Sequence, residues 1–262
     1  MGKRIVEAEI VPDEIVLSGV DPLLVQQSVQ DRVVTEVGRK GKYWWIELDQ
    51  RPWLFGHLGM AGWVRHLGQP TIRLREHGEA PLDDPNGRPR FLKMMLTAED
   101  GNRIALTDGR RLARLWLGEG PESDPRVLAL GPDTYEQLPS LAWYASIFAK
   151  RSAPIKALLL DQKLFSGVGN WIADEALYQA KISPKRLGST LSEQEINRLL
   201  ENLQEILEIA VRVGADATLY PEHWLFSRRW GGNRGPEVID GHAIVREPVG
   251  GRTTAWVPTR QV

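Results

Sequence analysis

The stretch from Leu158 to Pro184 constrains the fold more than any other part of the chain. Leu158, Leu159 and Leu160 are good helix formers, and Gly167 and Gly169 then interrupt the helical pattern. Asn170 falls where a helix N-cap would sit. Ala173-Asp174-Glu175-Ala176-Leu177 continues as a strong helix, with acidic residues near the positive end of its dipole. Lys181-Ile182-Ser183-Pro184 closes the unit, because proline cannot continue a helix. The pattern predicts helix, tight turn, helix. A Gly-x-Gly-Asn turn presenting N–H groups at a helix start suits a phosphate. The spacing alone equally allows a glycine-rich turn between two core helices.

At 262 residues the chain has room for a sizeable core and more than one domain. Its 42% apolar and 26% charged residues are those of an ordinary soluble globular protein. No apolar run is long enough to span a bilayer, and Met1-Gly2-Lys3-Arg4 is not followed by a signal-peptide core. The expected location is therefore cytoplasmic, with no membrane partner. The absence of cysteine excludes disulfides and cysteine-ligated zinc. The five histidines show no metal-ligand spacing, so no metal and no other cofactor is expected. A formal charge of −1 gives no global attraction to nucleic acid, so any basic face must be local. Most of the ten tryptophans are expected in the core.

Taken in order, 3–11, 33–37, 43–48, 53–57, 61–66, 91–97 and 103–107 read as strands. Glu99-Asp100-Gly101-Asn102 forms a hairpin turn between the last two. Residues 69–90 read as an exposed loop rich in Pro, Gly, Asp and Arg. Helical patterns dominate from Leu138 to about Val213; Ser192-Glu193-Gln194-Glu195 opens the last helix with a capping box and Gly214 ends it. From Tyr220 the chain returns to β-formers. Between Leu225 and Val262 it carries six arginines against three acids.

The string from Leu158 to Pro184 resembles the helix-two-turn-helix signature of the formamidopyrimidine-DNA glycosylase/endonuclease VIII family. That signature runs Leu-Leu-Asp-Gln, Gly-Val-Gly-Asn, Ala-x-Glu-x-Leu and Ile-x-Pro, and every element is here in order. The resemblance covers nearly the whole chain and implies an α+β multidomain fold. A β-sandwich (or flattened barrel) domain would occupy 1–120, a helix-two-turn-helix DNA-binding domain 121–218, and a zincless finger of β-hairpin 219–262.

The implied site is spread along the chain. Lys42, in Gly41-Lys42-Tyr43, matches a family lysine that reaches the phosphates at the lesion and assists strand cleavage; by spacing alone it is a solvated turn residue. His57-Leu58-Gly59-Met60-Ala61-Gly62 resembles the family's His-Leu-Gly-Met-Ser-Gly loop, whose methionine fills the space of the extruded base. Asp108-Gly109-Arg110-Arg111-Leu112-Ala113 resembles the Asp-Pro-Arg-Arg-Phe-Gly loop, in which one arginine pairs with the orphaned base and its neighbour contacts phosphate. Leu112 stands where the family has phenylalanine, so it can wedge but not stack. Gly169, Asn170 and Lys156 are expected to face DNA, with Arg151 and Arg90 near basic or histidine positions of the family. Gly251-Arg252-Thr253-Thr254 resembles the finger turn whose arginine grips the phosphates flanking the flipped nucleotide.

The resemblance implies a bifunctional glycosylase/AP lyase of base-excision repair, acting as a monomer on double-stranded DNA. It would remove oxidised purines (8-oxoguanine, formamidopyrimidines) and nick the strand at abasic sites. Lys42 and Arg252 are the catalytic candidates within the chain. Family catalysis depends on an N-terminal Pro-Glu, whose secondary amine attacks C1′ while the glutamate moves protons. This sequence instead starts Met1-Gly2-Lys3-Arg4-Ile5, which resembles a segment well inside a typical member. Two readings stay open: a start assigned too late, or a noncatalytic binder of damaged DNA with the same fold.

Overall fold

The computed structural model describes residues 1–70, 81–231 and 237–262, so part of the expected 69–90 loop lies outside the described residues. The chain forms two compact units, Met1–Ala129 and Leu130–Val262.

The first unit holds β1 (Ile5–Ile10), α1 (Pro22–Val29), β2 (Val34–Lys40), β3 (Tyr43–Leu48), β4 (Trp53–His57), β5 (Trp63–His66), β6 (Leu92–Ala98), β7 (Arg103–Thr107), β8 (Arg114–Gly118) and α2 (Pro125–Leu128). The strands make two four-stranded antiparallel sheets, ordered β1-β6-β7-β5 and β2-β3-β4-β8. Alternation explains the core: Leu92, Met94 and Leu96 of β6 are buried, and Met94 and Leu96 meet Ile5, Ala8, Ile46, Leu54 and Leu115. The expected 99–102 turn is present, with Gly101 at φ +80°.

Four elements of the first unit differ from the sequence reading. Helices α1 and α2 were not expected, although Asp21-Pro22 and Asp124-Pro125 each combine a capping carboxylate with proline in the first turn. Strand β8 was missed as well. Strand β2 also runs through Gly38 to Lys40, because the Trp45 indole lies over Gly38; a Cβ there would stand 2.4 Å from the ring.

The second unit holds α3 (Leu141–Phe148), α4 (Ile155–Leu160), α5 (Asn170–Gln179), α6 (Glu193–Arg212), β9 (Val238–Ile239), β10 (His242–Ala243), β11 (Val245–Val249) and β12 (Arg252–Trp256). Helix α6 buries Ile196, Leu199, Leu200, Leu203, Ile206, Leu207 and Ala210, one apolar stripe at helical spacing. Ser192 and Glu195 form the expected capping box. At the other end Ala215 N–H donates to Ala210 and Gly214 N–H to Val211, with Gly214 at φ +61°, a Schellman termination. The 245–256 hairpin turns on Gly250 and Gly251 at φ +61° and +76°, values that favour glycine. Of the ten tryptophans, Trp63, Trp116, Trp224 and Trp256 are buried and the rest half-buried. Among the described residues no helix is long and apolar enough to cross a membrane.

Candidate nucleic-acid interface

In the first unit, Gly41 at φ +58° occupies the first central position of the β2–β3 turn, leaving Lys42 exposed at the hairpin tip. Tyr43, the next residue, packs its ring 4.9 Å from His57 at the end of β4. His57 Nδ1 accepts the Gly59 N–H at 3.0 Å, which places the imidazole proton on Nε2. Burial first, then Lys42 and Arg114, lower the His57 pKa and keep the ring neutral.

Gly59 sits at φ +62°, and a Cβ there would stand 2.4 Å from the Leu112 carbonyl oxygen. The 57–62 turn is therefore pressed against the 108–113 loop, and only glycine fits at the contact. That loop is threaded on Asp108, which is fully buried. Its carboxylate accepts from Arg110 N at 2.8 Å and from Leu112 N and Ala113 N, both at 2.6 Å. The two arginines then part company. Arg111 binds Asp13 through both Nε and Nη2 at 2.9–3.1 Å. Asp13 also takes Lys93 at 2.8 Å, and these bonds outweigh burial to hold its carboxyl well below the usual range. The exposed Arg110 guanidinium has no hydrogen-bond or ion-pair partner among the described residues. Arg111 is thus a fixed support and Arg110 the arginine left to reach a ligand. Met60, although apolar, is 48% exposed, and Leu112 is half-buried.

One residue escaped the sequence reading. Phe91 is 51% exposed at φ +57°, lies against Gly109 of the same loop, and carries the Arg90 guanidinium 5.3 Å from its ring centroid. An exposed aromatic at the start of β6 supplies a stacking face beside a loop whose Leu112 has none. A phenylalanine next to arginine just before a strand was the available signal.

In the second unit the 158–170 turn is built by Gln162, whose amide donates to Leu160 O and Val168 O while its Oε1 accepts Gly167 N–H. Helix α5 is capped by Gly169, and Asn170 is its first helical residue rather than the cap expected from the sequence. The Asn170 Nδ2 is consequently available to donate to Thr253 O at 2.9 Å, tying the turn to β12, while its Oδ1 is buried without a partner among the described residues. Arg252 is exposed at the first position of β12. A Cβ on Gly250 would stand 3.0 Å from Ala157, so the finger turn also abuts α4. Asn170 and Arg252 therefore belong to one edge. Lys150 and Arg151 are exposed just past α3.

Lys156 corrects its expectation. It is 0% exposed, and its ammonium donates to Asp174 and, at 3.3 Å, to Asn170 O. Burial pulls its pKa down, with Asp174 opposing. Asp174 and Glu175, expected as acids complementing the dipole, are interior anchors at 1% and 0% exposure. Asp174 binds Arg229 at 2.6 Å and accepts Ala255 N–H at 3.2 Å. Glu175 accepts Leu225 N–H and Phe226 N–H at 3.2 and 2.7 Å, and burial pushes its pKa up to about 7. Periodicity could not show this, because the partners lie 18 to 81 residues away along the chain.

Residues 1–115 match the formamidopyrimidine-DNA glycosylase N-terminal domain, and 130–221 the formamidopyrimidine-DNA glycosylase H2TH domain. A formamidopyrimidine-DNA glycosylase of Arabidopsis thaliana is 36% identical over 261 residues, covering 100% of this chain; the chain spans only 66% of that relative's length. The same-named protein of Thermus thermophilus is 32% identical over 245 residues, 88% of this chain and 84% of the relative. The crystal structure of Lactococcus lactis FPG (MutM) in complex with a FAPY-dG containing DNA superposes with a TM-score of 0.80 at 23% identity. It covers 99% of this chain and 93% of that one, a likeness of fold.

Proposed function

The chain belongs to the formamidopyrimidine-DNA glycosylase family, and from that premise we propose that it serves base-excision repair as a DNA glycosylase acting on damaged duplex. The finer reading is a bifunctional enzyme for oxidised purines such as 8-oxoguanine and formamidopyrimidines, which also cleaves the strand at abasic sites. The observation that carries the reading is Met60, an apolar side chain held 48% exposed on a turn that only glycine permits, packed against the loop of Arg110, whose guanidinium has no partner among the described residues.

Extruding a base costs about a few kcal/mol of stacking, which an apolar wedge and a cation on the orphaned partner offset. Met60 is the wedge, Leu112 supports it, Phe91 offers the stacking face, and Arg110 addresses the orphaned base. Lys42, His57, Arg90, Asn170 with the Gly169 turn, Arg151 and Arg252 hold backbone phosphates, which positions the duplex without reading sequence. Lys156 acts from the interior by holding Asn170. The protein works as a monomer in the cytoplasm, one copy per lesion.

The amine and proton shuttle of the family's Pro-Glu do not stand at the start of residues 1–262. Trapping with borohydride on abasic and 8-oxoguanine duplexes, with residues 1–262 and with a chain extended upstream to a Pro-Glu start, assigns the chemistry. An adduct only with the longer chain places excision on the terminal proline; an adduct with both shows that an amine within residues 1–262, such as Lys42, can react. Equal affinity for abasic and undamaged duplex would refute the reading altogether.

A further inference from the structure

The first unit contains a cavity of about 380 Å³ lined by Ser18, Tyr43, His57, Arg114, Trp116 and Arg126. Its wall is unusual in what it lacks: among the described residues no carboxylate lines it. Asp124, buried and bonded to the wall, already accepts from Trp116 Nε1 at 2.7 Å, Arg126 N at 2.8 Å and Val127 N at 3.1 Å. What lines the cavity is a set of donors. The Arg126 guanidinium stacks 4.3 Å from the Trp116 ring centroid and makes no hydrogen bond or ion pair among the described residues. Stacking fixes its plane without using any of its N–H groups. Arg114 spends Nη1 on the carbonyls of Arg111 and Ala113, which leaves its remaining donors for the cavity. The His57 Nδ1–Gly59 bond leaves Nε2–H as donor, and the Ser18 hydroxyl has no partner among the described residues.

Two guanidinium groups, an imidazole N–H and a hydroxyl match an anion with several acceptor oxygens and more than one charge-assisted bond to receive. We propose that this cavity is a phosphate-binding site, in which Arg126 and Arg114 hold the oxygens, His57 and Ser18 donate to them, and Trp116 supports Arg126. The volume leaves room for the sugar to which a phosphate is attached. The source is either the backbone of bound DNA or a terminal or free phosphate. The first of these rests on the function proposed above; the second does not.

The test uses residues 1–262 with inorganic phosphate titrated against chloride at constant ionic strength, following the His57 ring signals by NMR. A saturable shift in the native chain, weakened at least tenfold in Arg126→Gln and partly restored in Arg126→Lys, is the expected result. A shift no different from that with chloride, or equal in native and Arg126→Gln chains, overturns the proposal. The remaining histidine signals report that the variants are folded. The salt dependence of duplex binding then identifies the source. For a DNA phosphate, log Kd against log salt loses about one unit of slope in Arg126→Gln. An unchanged slope, with phosphate binding weakened in Arg126→Gln as expected, assigns a terminal or free phosphate.

Discussion

Replacing Lys156 by Met separates two incompatible roles for one residue. If its ammonium faced DNA, removing it would leave stability untouched and lower the salt slope of duplex binding by about one unit. The structure places that ammonium in the interior, on Asp174, with no exposed surface. Breaking a buried ion pair by removing one partner costs about 3–5 kcal/mol when the other charge is stranded. Here Asp174 keeps Arg229 at 2.6 Å and the Ala255 N–H at 3.2 Å, and Met retains most of the buried volume. The loss for Lys156→Met therefore falls below that range, at about 2–3 kcal/mol. Asp174→Asn strands two cations at once and costs more, about 3–5 kcal/mol. Urea unfolding followed by tryptophan fluorescence, with Trp171, Trp224 and Trp230 in the same unit, measures both. The salt slope of duplex binding is measured on the folded Lys156→Met chain and stays within error of native. A slope reduced by one unit with unchanged stability would refute the interior assignment, as would Asp174→Asn being milder than Lys156→Met.

Glu175 makes stability depend on pH with a definite sign. Its pKa rises from 4.5 to about 7 on folding, so the folded state holds the extra proton. The contribution is complete below pH 4.5 and is lost as pH rises through about 7, at most about 3 kcal/mol. Glu175→Gln flattens that part of the urea-midpoint profile; an unchanged profile would count against it. Asp108→Ala removes the acceptor of three backbone N–H groups and costs roughly 3–5 kcal/mol by the same unfolding assay, a loss below 1 kcal/mol showing that the loop is not threaded on it. Met60→Ala, at an exposed site, changes stability by no more than about 0.5 kcal/mol. It nevertheless narrows the preference for abasic over undamaged duplex in anisotropy titrations, and an unaltered preference would remove Met60 as the wedge.

Local pattern alone determined a good deal of this protein. Alternation located seven strands because side chains on a strand change face at every residue, and the 3.6-residue stripe with Ser192 and Glu195 delimited α6. Gly59, Gly167 and Gly251 marked turns because their positive φ values admit few other residues. Asp21-Pro22 encodes the start of α1 in the same local language, through a capping carboxylate and a proline in the first turn. Tertiary structure alone decided what the polar residues do. Arg110 and Arg111 are neighbours in sequence, yet Arg111 is fixed by Asp13, 98 residues away, while Arg110 is left to act. Lys156, Asp174 and Glu175 sit where an exposed helix face would also put charge, and only the packing of Arg229, Leu225, Phe226 and Ala255 onto α5 turns them inward. A side chain's partner is set by where distant segments meet, and that meeting is not encoded in the spacing of the residues around it.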